Sequence, residues 1–177
     1  MKNFKLNEKD ILSNQDWTFP TTTYYGPGRL NEIGKFCEEF DIKNPLIVTD
    51  SGSKDLPFIK KLIALLSKNN IKSDLFYNIS PNPRDDEISK GCDQFKNGSH
   101  DSIIAIGGGS AMDGGKSICL TVNSETPLWD FEFEQPVPKI TKENAFPKII
   151  TIPTTAGTGA ETEITAMVTH LEKGMKF

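Results

Sequence analysis

The sequence predicts an α/β fold with one parallel sheet and helices on both of its faces, in a single domain over residues 1–177. Short apolar runs alternate with segments of helical periodicity, which is the order that βαβ units require. One of these runs leads through three consecutive glycines directly into a helical segment. A chain of 177 residues is also long enough for one globular core.

The first predicted elements follow from turn residues and apolar periodicity. Threonines and aromatic residues at 19–25 predict a β-element, which a Gly-Pro-Gly turn at 26–28 closes. A helix is predicted at 29–40, because its apolar residues recur every three or four positions and so share one face. A buried strand at 45–49 and an amphipathic helix at 57–69 come next.

The middle of the chain repeats this alternation twice. A strand at 73–77 and a helix at 85–96 are joined by a turn that contains two prolines. A strand at 101–106 then leads into the glycines, and a helix at 111–122 follows them. These units place the glycine turn between a strand end and a helix start.

The pattern becomes irregular after this helix. Four prolines and scattered charges at 123–147 predict an excursion with little regular structure. Apolar residues then predict a buried strand at 148–152 and a last strand at 162–170.

The stretch AIGGGSAMDGGK at residues 105–116 predicts a site for an anion. The first amides of a helix have no partner within it, and the positive end of the helix dipole adds to their attraction for negative charge. Gly107, Gly108 and Gly109 have no Cβ, so their backbone can approach a pyrophosphate closely. Two other phosphate motifs fail by one residue each: a G-x-G-x-x-G fingerprint would need glycine at Met112, and a Walker loop would need it at Ser110.

Three polar residues follow the glycines, each with two interpretations. Ser110 and Asp113 stand three residues apart at the helix start, where they are either ligand contacts or a capping pair. Lys116 lies about two turns into the predicted helix. Its ammonium either assists a phosphate or remains solvated.

Composition excludes several classes of partner. A net charge of −4 and a pI near 5.3 argue against nucleic acid and anionic membrane, because both need a basic face. The sequence shows neither an apolar run of about 18 residues nor a secretory leader, which favours a cytoplasmic protein. Cys37, Cys92 and Cys119 are odd in number and widely spaced, so we expect reduced, buried thiols.

Two motifs together resemble a known family. Residues 107–116 resemble the GGGSxxDxxK signature of the iron-containing alcohol dehydrogenases, which share their architecture with glycerol dehydrogenase and dehydroquinate synthase. Residues 151–162, TIPTTAGTGAET, resemble the family's PTTAGTGSE segment. Smaller matches occur at 19–28, 46–50 and 81–83, so the resemblance extends along nearly the whole chain. Glycine replaces the alanine that many members have at position 115.

The resemblance implies a Rossmann-like, dehydroquinate synthase-like N-terminal domain whose second, helical domain is absent. It also implies an NAD-dependent oxidoreductase that transfers hydride between NAD(H) and a small alcohol or aldehyde. The family holds one Fe²⁺ or Zn²⁺ with an aspartate and three histidines from residues after this point. His100 and His170 match none of these positions, so we assign no catalytic and no metal residue and expect the chain to be catalytically incomplete.

Further cofactor residues are predicted outside the glycine turn. Asp50 closes the first buried strand, where a carboxylate can accept hydrogen bonds from a ribose and would repel a 2′-phosphate, which favours NAD over NADP; alternatively it is a turn or cap residue. Thr154 and Thr155 follow a strand end and offer hydroxyls to a diphosphate or ribose. The resemblance adds further cofactor contacts at Asn82, Thr158 and Lys176.

Two other functions remain open at this point. A nucleoside-triphosphate site could use Gly114 to Ser117, although its first glycine is missing. A non-catalytic module could recruit a partner chain, or a second copy of itself, through an unpaired sheet edge. The sequence does not identify the alcohol.

Overall fold

The computed structural model describes residues 21–136, 138–139, 146–157 and 159–177. Its centre is a four-stranded sheet in the order β2-β1-β3-β4, with parallel pairing throughout. The strands are β1 (Pro45–Asp50), β2 (Asp74–Ile79), β3 (Ser102–Gly107) and β4 (Lys148–Pro153). The predicted α/β architecture is therefore confirmed.

In the described ranges, four α-helices cover the two faces of the sheet, and three of them connect its strands. They are α1 (Ile33–Glu39), α2 (Pro57–Lys68), α3 (Asp85–Asn97) and α4 (Gly109–Thr121). Each connection from one strand to the next parallel strand carries at least one helix between β1 and β4, as such crossovers require. These bounds lie within two residues of the helices predicted at 57–69, 85–96 and 111–122, and a 3₁₀ turn at Arg29–Glu32 begins the helix predicted at 29–40.

The apolar core has two layers because successive strand residues point to opposite faces. Ile47 of β1 and Ile104 of β3 pack with α1 and α2, whereas Leu46 and Ile103 pack with α3 and α4. All six residues of β3 are buried, which explains its continuous apolar sequence. The core therefore fixes the carboxyl ends of β1 and β3 relative to each other.

Two glycines seat α4 directly on the sheet. A Cβ at Gly115 would stand 2.5 Å from Cβ of Ala105, and one at Gly114 would stand 2.7 Å from Cδ1 of Ile79. These contacts are shorter than side chains tolerate, so both positions need glycine at this helix depth. The glycine at position 115 thus serves close packing.

The predicted N-terminal β-element is wrong in its described part. Residues 21–25 form no strand, and residues 19 and 20 lie outside the described ranges. The ring of Tyr24 packs on Phe36 of α1, with centroids 4.4 Å apart, and its hydroxyl donates to Oε1 of Glu39 over 3.2 Å. The aromatic residues that suggested a strand thus cover a helix instead. An apolar groove of about 640 Å³ lies between this segment, α1 and β4.

The strand predicted at 162–170 is also largely wrong. A two-residue strand, β5 (Thr169–His170), pairs in antiparallel fashion with β6 (Met175–Lys176). The residues before it form a loop whose carbonyls bind a lysine side chain, as described below, so no neighbouring strand is available for a ladder. In the irregular 123–147 segment, the described residues contain a 3₁₀ turn at Leu128–Phe131. No helix among the described residues is long and apolar enough to cross a bilayer.

Candidate functional site

The candidate site lies at the carboxyl edge of the sheet, between β1 and β3. These strands are neighbours, and the chain proceeds from β1 to one side of the sheet and from β3 to the other. Ligands in open α/β sheets bind at such a switch point. Asp50 ends β1 and Gly107 ends β3, and a Cβ at Gly107 would stand 3.2 Å from Oδ2 of Asp50.

Within the glycine turn, Gly107 is tightly packed at a positive φ, whereas Gly108 is less crowded. Gly107 has φ of +149°, and its Cβ would stand 2.7 Å from Cβ of Ala111, so this position requires glycine. Gly108, the residue before α4, has φ of −79°. Its Cβ would meet Oγ1 of Thr155 at 3.6 Å, which is an ordinary contact. The backbone at Gly108 is therefore less crowded than that at Gly107 and lies beside Thr155.

The first amides of α4 follow Gly108 directly. No described side chain caps the helix start, and the alternative capping pair of Ser110 and Asp113 is wrong. Oγ of Ser110 donates to the carbonyl of Pro81 over 2.5 Å. Oδ1 of Asp113 lies 3.3 Å from Nζ of Lys116. The helix start keeps the donors and the positive dipole end that bind an anion.

Asp50 is held by its own turn. Its Oδ1 accepts a hydrogen bond from the amide of Gly52 over 3.0 Å, and Oδ2 accepts one from the hydroxyl of Ser53 over 2.7 Å. The turn interpretation is thus correct for this residue. A carboxylate has about four acceptor sites, so the same geometry leaves Asp50 able to accept hydrogen bonds from a ribose.

Lys116 makes contacts that the sequence did not suggest. Its Nζ donates to the carbonyls of Ala160 (3.0 Å), Glu163 (3.3 Å) and Thr165. Its side chain is 16% exposed, so the solvated interpretation is wrong. These contacts also argue against the predicted phosphate contact.

The described residues of 154–177 supply the side of the recess opposite α4, and we call them the second wall of the site. The first wall is β3, the glycine turn and α4. The amide of Thr154 donates to the carbonyl of Gly107 over 2.9 Å, which joins the two walls at the mouth. Nζ of Lys176 donates to Oδ1 of Asn82 over 3.1 Å. The predicted residue Thr158 lies outside the described residues.

A recess of about 520 Å³ separates the two walls. The predicted residues that line it are Gly109, Ser110, Asp113, Thr155 and Lys176. Gly159, a weaker candidate because a turn rich in Thr and Gly has many structural uses, also lines it. The sequence analysis missed the other lining residues, which are Met112, Gly157, Ala160, Glu161, Glu163 and Met167. Several of these stand inside or beside the 151–162 motif, so that motif was the available signal. The recess is continuous with the glycine turn through Gly109 and Ser110.

An aromatic cluster that the sequence analysis also missed holds the end of the second wall. The rings of Trp129 and His170 stack with centroids 4.5 Å apart. Oδ2 of Asp85 accepts hydrogen bonds from Nε1 of Trp129 (3.3 Å) and from the amide of Leu171 (3.4 Å). The tryptophan within the irregular 123–147 segment was the one sequence signal for this cluster.

Histidines and cysteines stand apart from any metal-ligand set in the described ranges, where no group of three or more His, Cys, Asp or Glu side chains is arranged to hold a metal. His100 is buried, with Nδ1 3.0 Å from the carbonyl of Asn44. The three cysteines are free thiols. Burial raises the pKa of Cys119 to about 12 and that of Cys37 to about 11, so these two remain protonated at neutral pH.

Known proteins are similar to this chain in sequence and in fold. The model of the family described as iron-containing alcohol dehydrogenase matches residues 20–177. Choline dehydrogenase of Bacillus subtilis is 32% identical over 174 residues, which cover 97% of this chain and 43% of that protein.

Solved structures of alcohol and aldehyde oxidoreductases also superpose on this chain. A 1,3-propanediol oxidoreductase superposes with a TM-score of 0.82 at 29% identity, over 92% of this chain and 41% of the other. Sulfoacetaldehyde reductase from Bifidobacterium kashiwanohense, solved in complex with NAD⁺, superposes with a TM-score of 0.80 at 27% identity, over 93% and 42% of the two chains. The chain thus spans about two fifths of the length of these relatives.

Proposed function

The chain belongs to the iron-containing alcohol dehydrogenase family, and from this membership we propose that it binds NAD(H) as the cofactor-holding part of a metal-dependent alcohol dehydrogenase. The whole enzyme would transfer hydride between the nicotinamide and a small alcohol or aldehyde. We further propose that residues 1–177 form one NAD-binding domain. The net charge of −4 fits a cytoplasmic enzyme of this kind.

The glycine turn at the switch point is the observation that supports cofactor binding most strongly. A Cβ at Gly108 would make only ordinary contacts with Thr155, no described side chain caps the start of α4, and Thr154 is bonded to Gly107 beside it. A diphosphate there would meet amide donors and the positive end of the helix dipole, which together bind phosphate without a cationic side chain. The 520 Å³ recess continues from Gly109 and Ser110, and we assign the nicotinamide part of the cofactor to it.

Asp50 supports NAD over NADP. Its carboxylate closes β1 beside Gly107, so a ribose bound at the switch point would lie within its reach. A 2′-phosphate at the same place would meet a negative charge rather than a cationic partner. The hydrogen bonds from Gly52 and Ser53 fix the carboxylate in this orientation.

The described residues bind and orient a cofactor, and they do not fit the metal. Bound NAD supplies the hydride acceptor, whereas this chain's residues place the diphosphate and shield part of the cofactor from water. Three protein ligands and an open position are usual for a catalytic Zn²⁺, and the described residues offer no such set. We therefore propose that residues 1–177 alone turn over slowly or not at all.

The nucleoside-triphosphate alternative loses support from the position of its motif. Gly115 and Lys116 lie in the second turn of α4 rather than before its start, and Gly115 packs against β3. A P-loop glycine and lysine must instead surround the phosphates at the helix start. The partner-recruiting alternative would use the half-buried edge strand β4. Self-association of the isolated chain in sedimentation would favour it.

A titration of the chain with NADH and NADPH tests the proposed function. We expect calorimetry to show binding of NADH and a lower affinity for NADPH. Asp50→Asn keeps an acceptor for the amide of Gly52 but removes the charge that repels a 2′-phosphate. It should therefore reduce the ratio of NADH affinity to NADPH affinity by about tenfold. Asp55→Asn is the matched control, since Asp55 is exposed in the same loop. Absence of binding by either nucleotide to folded chain would contradict the proposal.

A second assay separates the cofactor-binding part from a complete enzyme. The chain, NADH, Fe²⁺ and a series of small aldehydes are mixed, and NADH absorbance is followed. We expect little turnover. Rapid turnover would show that catalysis needs no residues beyond these 177.

A further inference from the structure

We propose that Lys116 is a positioning residue of the cofactor site, which fixes the loop at residues 159–165 and does not itself contact the cofactor. This proposal deepens the proposed function and rests on it for the link to cofactor affinity. It also changes the role of the lysine in the glycine motif from a phosphate ligand to an anchor.

Distance along α4 separates Lys116 from the anion site. The helix begins at Gly109, and seven residues at 1.5 Å each put Lys116 about 10 Å further along the axis. An amide-bound diphosphate at the helix start lies at the opposite end of this span. The lysine is therefore poorly placed to reach it.

The ammonium of Lys116 already has a full set of partners. It has three N–H donors, and three carbonyls accept them, those of Ala160, Glu163 and Thr165. Asp113 adds an ion pair at 3.3 Å, and the exposed fractions of the two side chains are 16% and 14%. A phosphate contact would require Lys116 to break these contacts in a mostly buried place.

The loop held by Lys116 lines the recess. Gly159, Ala160, Glu161 and Glu163 are lining residues, whereas the described residues between 154 and 168 include no helix or strand. The loop's backbone carbonyls therefore depend on partners outside a regular ladder. Lys116 satisfies three of them at once and joins the loop to α4, so the recess keeps its shape before a ligand arrives.

Hydrogen exchange of the ligand-free chain tests the anchor directly. Lys116→Met should speed amide exchange about tenfold or more in residues 159–165, because the loop then opens independently of α4. Lys116→Arg should restore protection at least in part, since a guanidinium can also donate to several carbonyls. Lys148→Met is the matched control. Lys148 lies in the edge strand β4 and donates to the carbonyl of Phe40, so its substitution should leave exchange in residues 159–165 unchanged.

Binding of two ligands distinguishes an anchor from a phosphate contact. NADH fills the recess, whereas ADP carries a diphosphate without the nicotinamide part. Lys116→Met should weaken NADH by about tenfold, because binding must then order the loop, and should leave ADP within about twofold of wild type. Circular dichroism checks folding, and Lys116→Gln, which keeps a donor, replaces the methionine variant if that variant does not fold.

Three results would overturn the proposal: unchanged exchange in the loop, equal weakening of ADP and NADH, or unchanged NADH affinity. Failure of the proposed function has a different signature, namely no NADH binding by the wild-type chain. In that event the exchange experiment still decides whether Lys116 anchors the loop.

Discussion

The two walls of the recess are built by different means. The first wall belongs to regular structure: β3 is fully buried and α4 is seated on it through glycines. The second wall contains only the short β5–β6 pair as regular structure, and side chains from other parts of the chain, Lys116 and Trp129 among them, also hold it. Regular backbone thus carries the amides to which we assign the diphosphate, whereas a separately anchored segment lines the rest of the recess. Local stability in proteins follows such differences, and sites often combine a firm part with a more mobile one.

The largest expected effect tests the first wall at Gly107. Gly107→Ala should lower the free energy of unfolding by about 3 kcal/mol, because it adds backbone strain at positive φ and an overlap with Ala111. Urea denaturation with an unchanged slope measures the loss. A loss below about 1 kcal/mol would show that the turn relaxes easily and that the first wall is less rigid than its burial indicates.

Gly108 provides the matched contrast on the same wall. Gly108→Ala adds a Cβ that meets Thr155 at 3.6 Å, so the free energy of unfolding should change by at most about 1 kcal/mol, the usual helix-cap difference. NADH binding should weaken by about tenfold, because the methyl group occupies space that the diphosphate approaches. Calorimetry on both glycine variants separates stability from binding. Unchanged NADH affinity would contradict the assignment of the turn.

The second wall is tested at Trp129. Trp129→Phe keeps a ring against His170 but removes the indole N–H that donates to Asp85. We expect the local opening free energy of residues 168–177 to fall by about 1 kcal/mol, typical of one lost hydrogen bond, while global unfolding changes less. Hydrogen exchange measures both quantities. Tyr25→Phe, at a residue 93% exposed, is the control, and an equal fall across the whole chain would remove the distinction between the walls.

The smallest expected effect is the contribution of the buried Cys119 thiol to the pH dependence of stability, which is measured at alkaline pH. Burial raises the pKa of Cys119 to about 12 from 9.0. The folded state therefore binds this proton more tightly than the unfolded state, so the stabilisation is complete below pH 9 and is lost as pH rises toward 12. Urea midpoints of wild type should fall across this alkaline range more steeply than those of Cys119→Ala. Equal pH dependence of the two would show that the thiol titrates freely.

The first wall could be predicted from sequence because its signals are local and periodic. The apolar run before Gly107 and the helical spacing after it gave β3 and α4 to within two residues. Asp50 was predicted as a site residue because it closes the first buried strand, where a carboxylate can accept hydrogen bonds from a ribose. The switch point then brought Asp50 and Gly107 together, as the structure shows.

The second wall could not be predicted in the same way. Lys116 contacts carbonyls 44 to 49 positions further along the chain, and no periodicity encodes such pairs. The same limit explains the wrong strand at 162–170, where β-branched residues form a loop around an ammonium. Trp129 and Asp85 are 44 residues apart, so their cluster also left no local pattern.

The depth at which α4 rests on the sheet has a consequence for how affinity can evolve. Gly114 and Gly115 touch Ile79 and Ala105 and do not line the recess, yet they set how deep the helix lies. A methyl group at either position would push the helix away from the sheet. The first amides of α4 would then change their orientation toward the proposed diphosphate. Substitutions hidden beneath the helix can therefore tune coenzyme affinity while every ligand-facing residue stays the same.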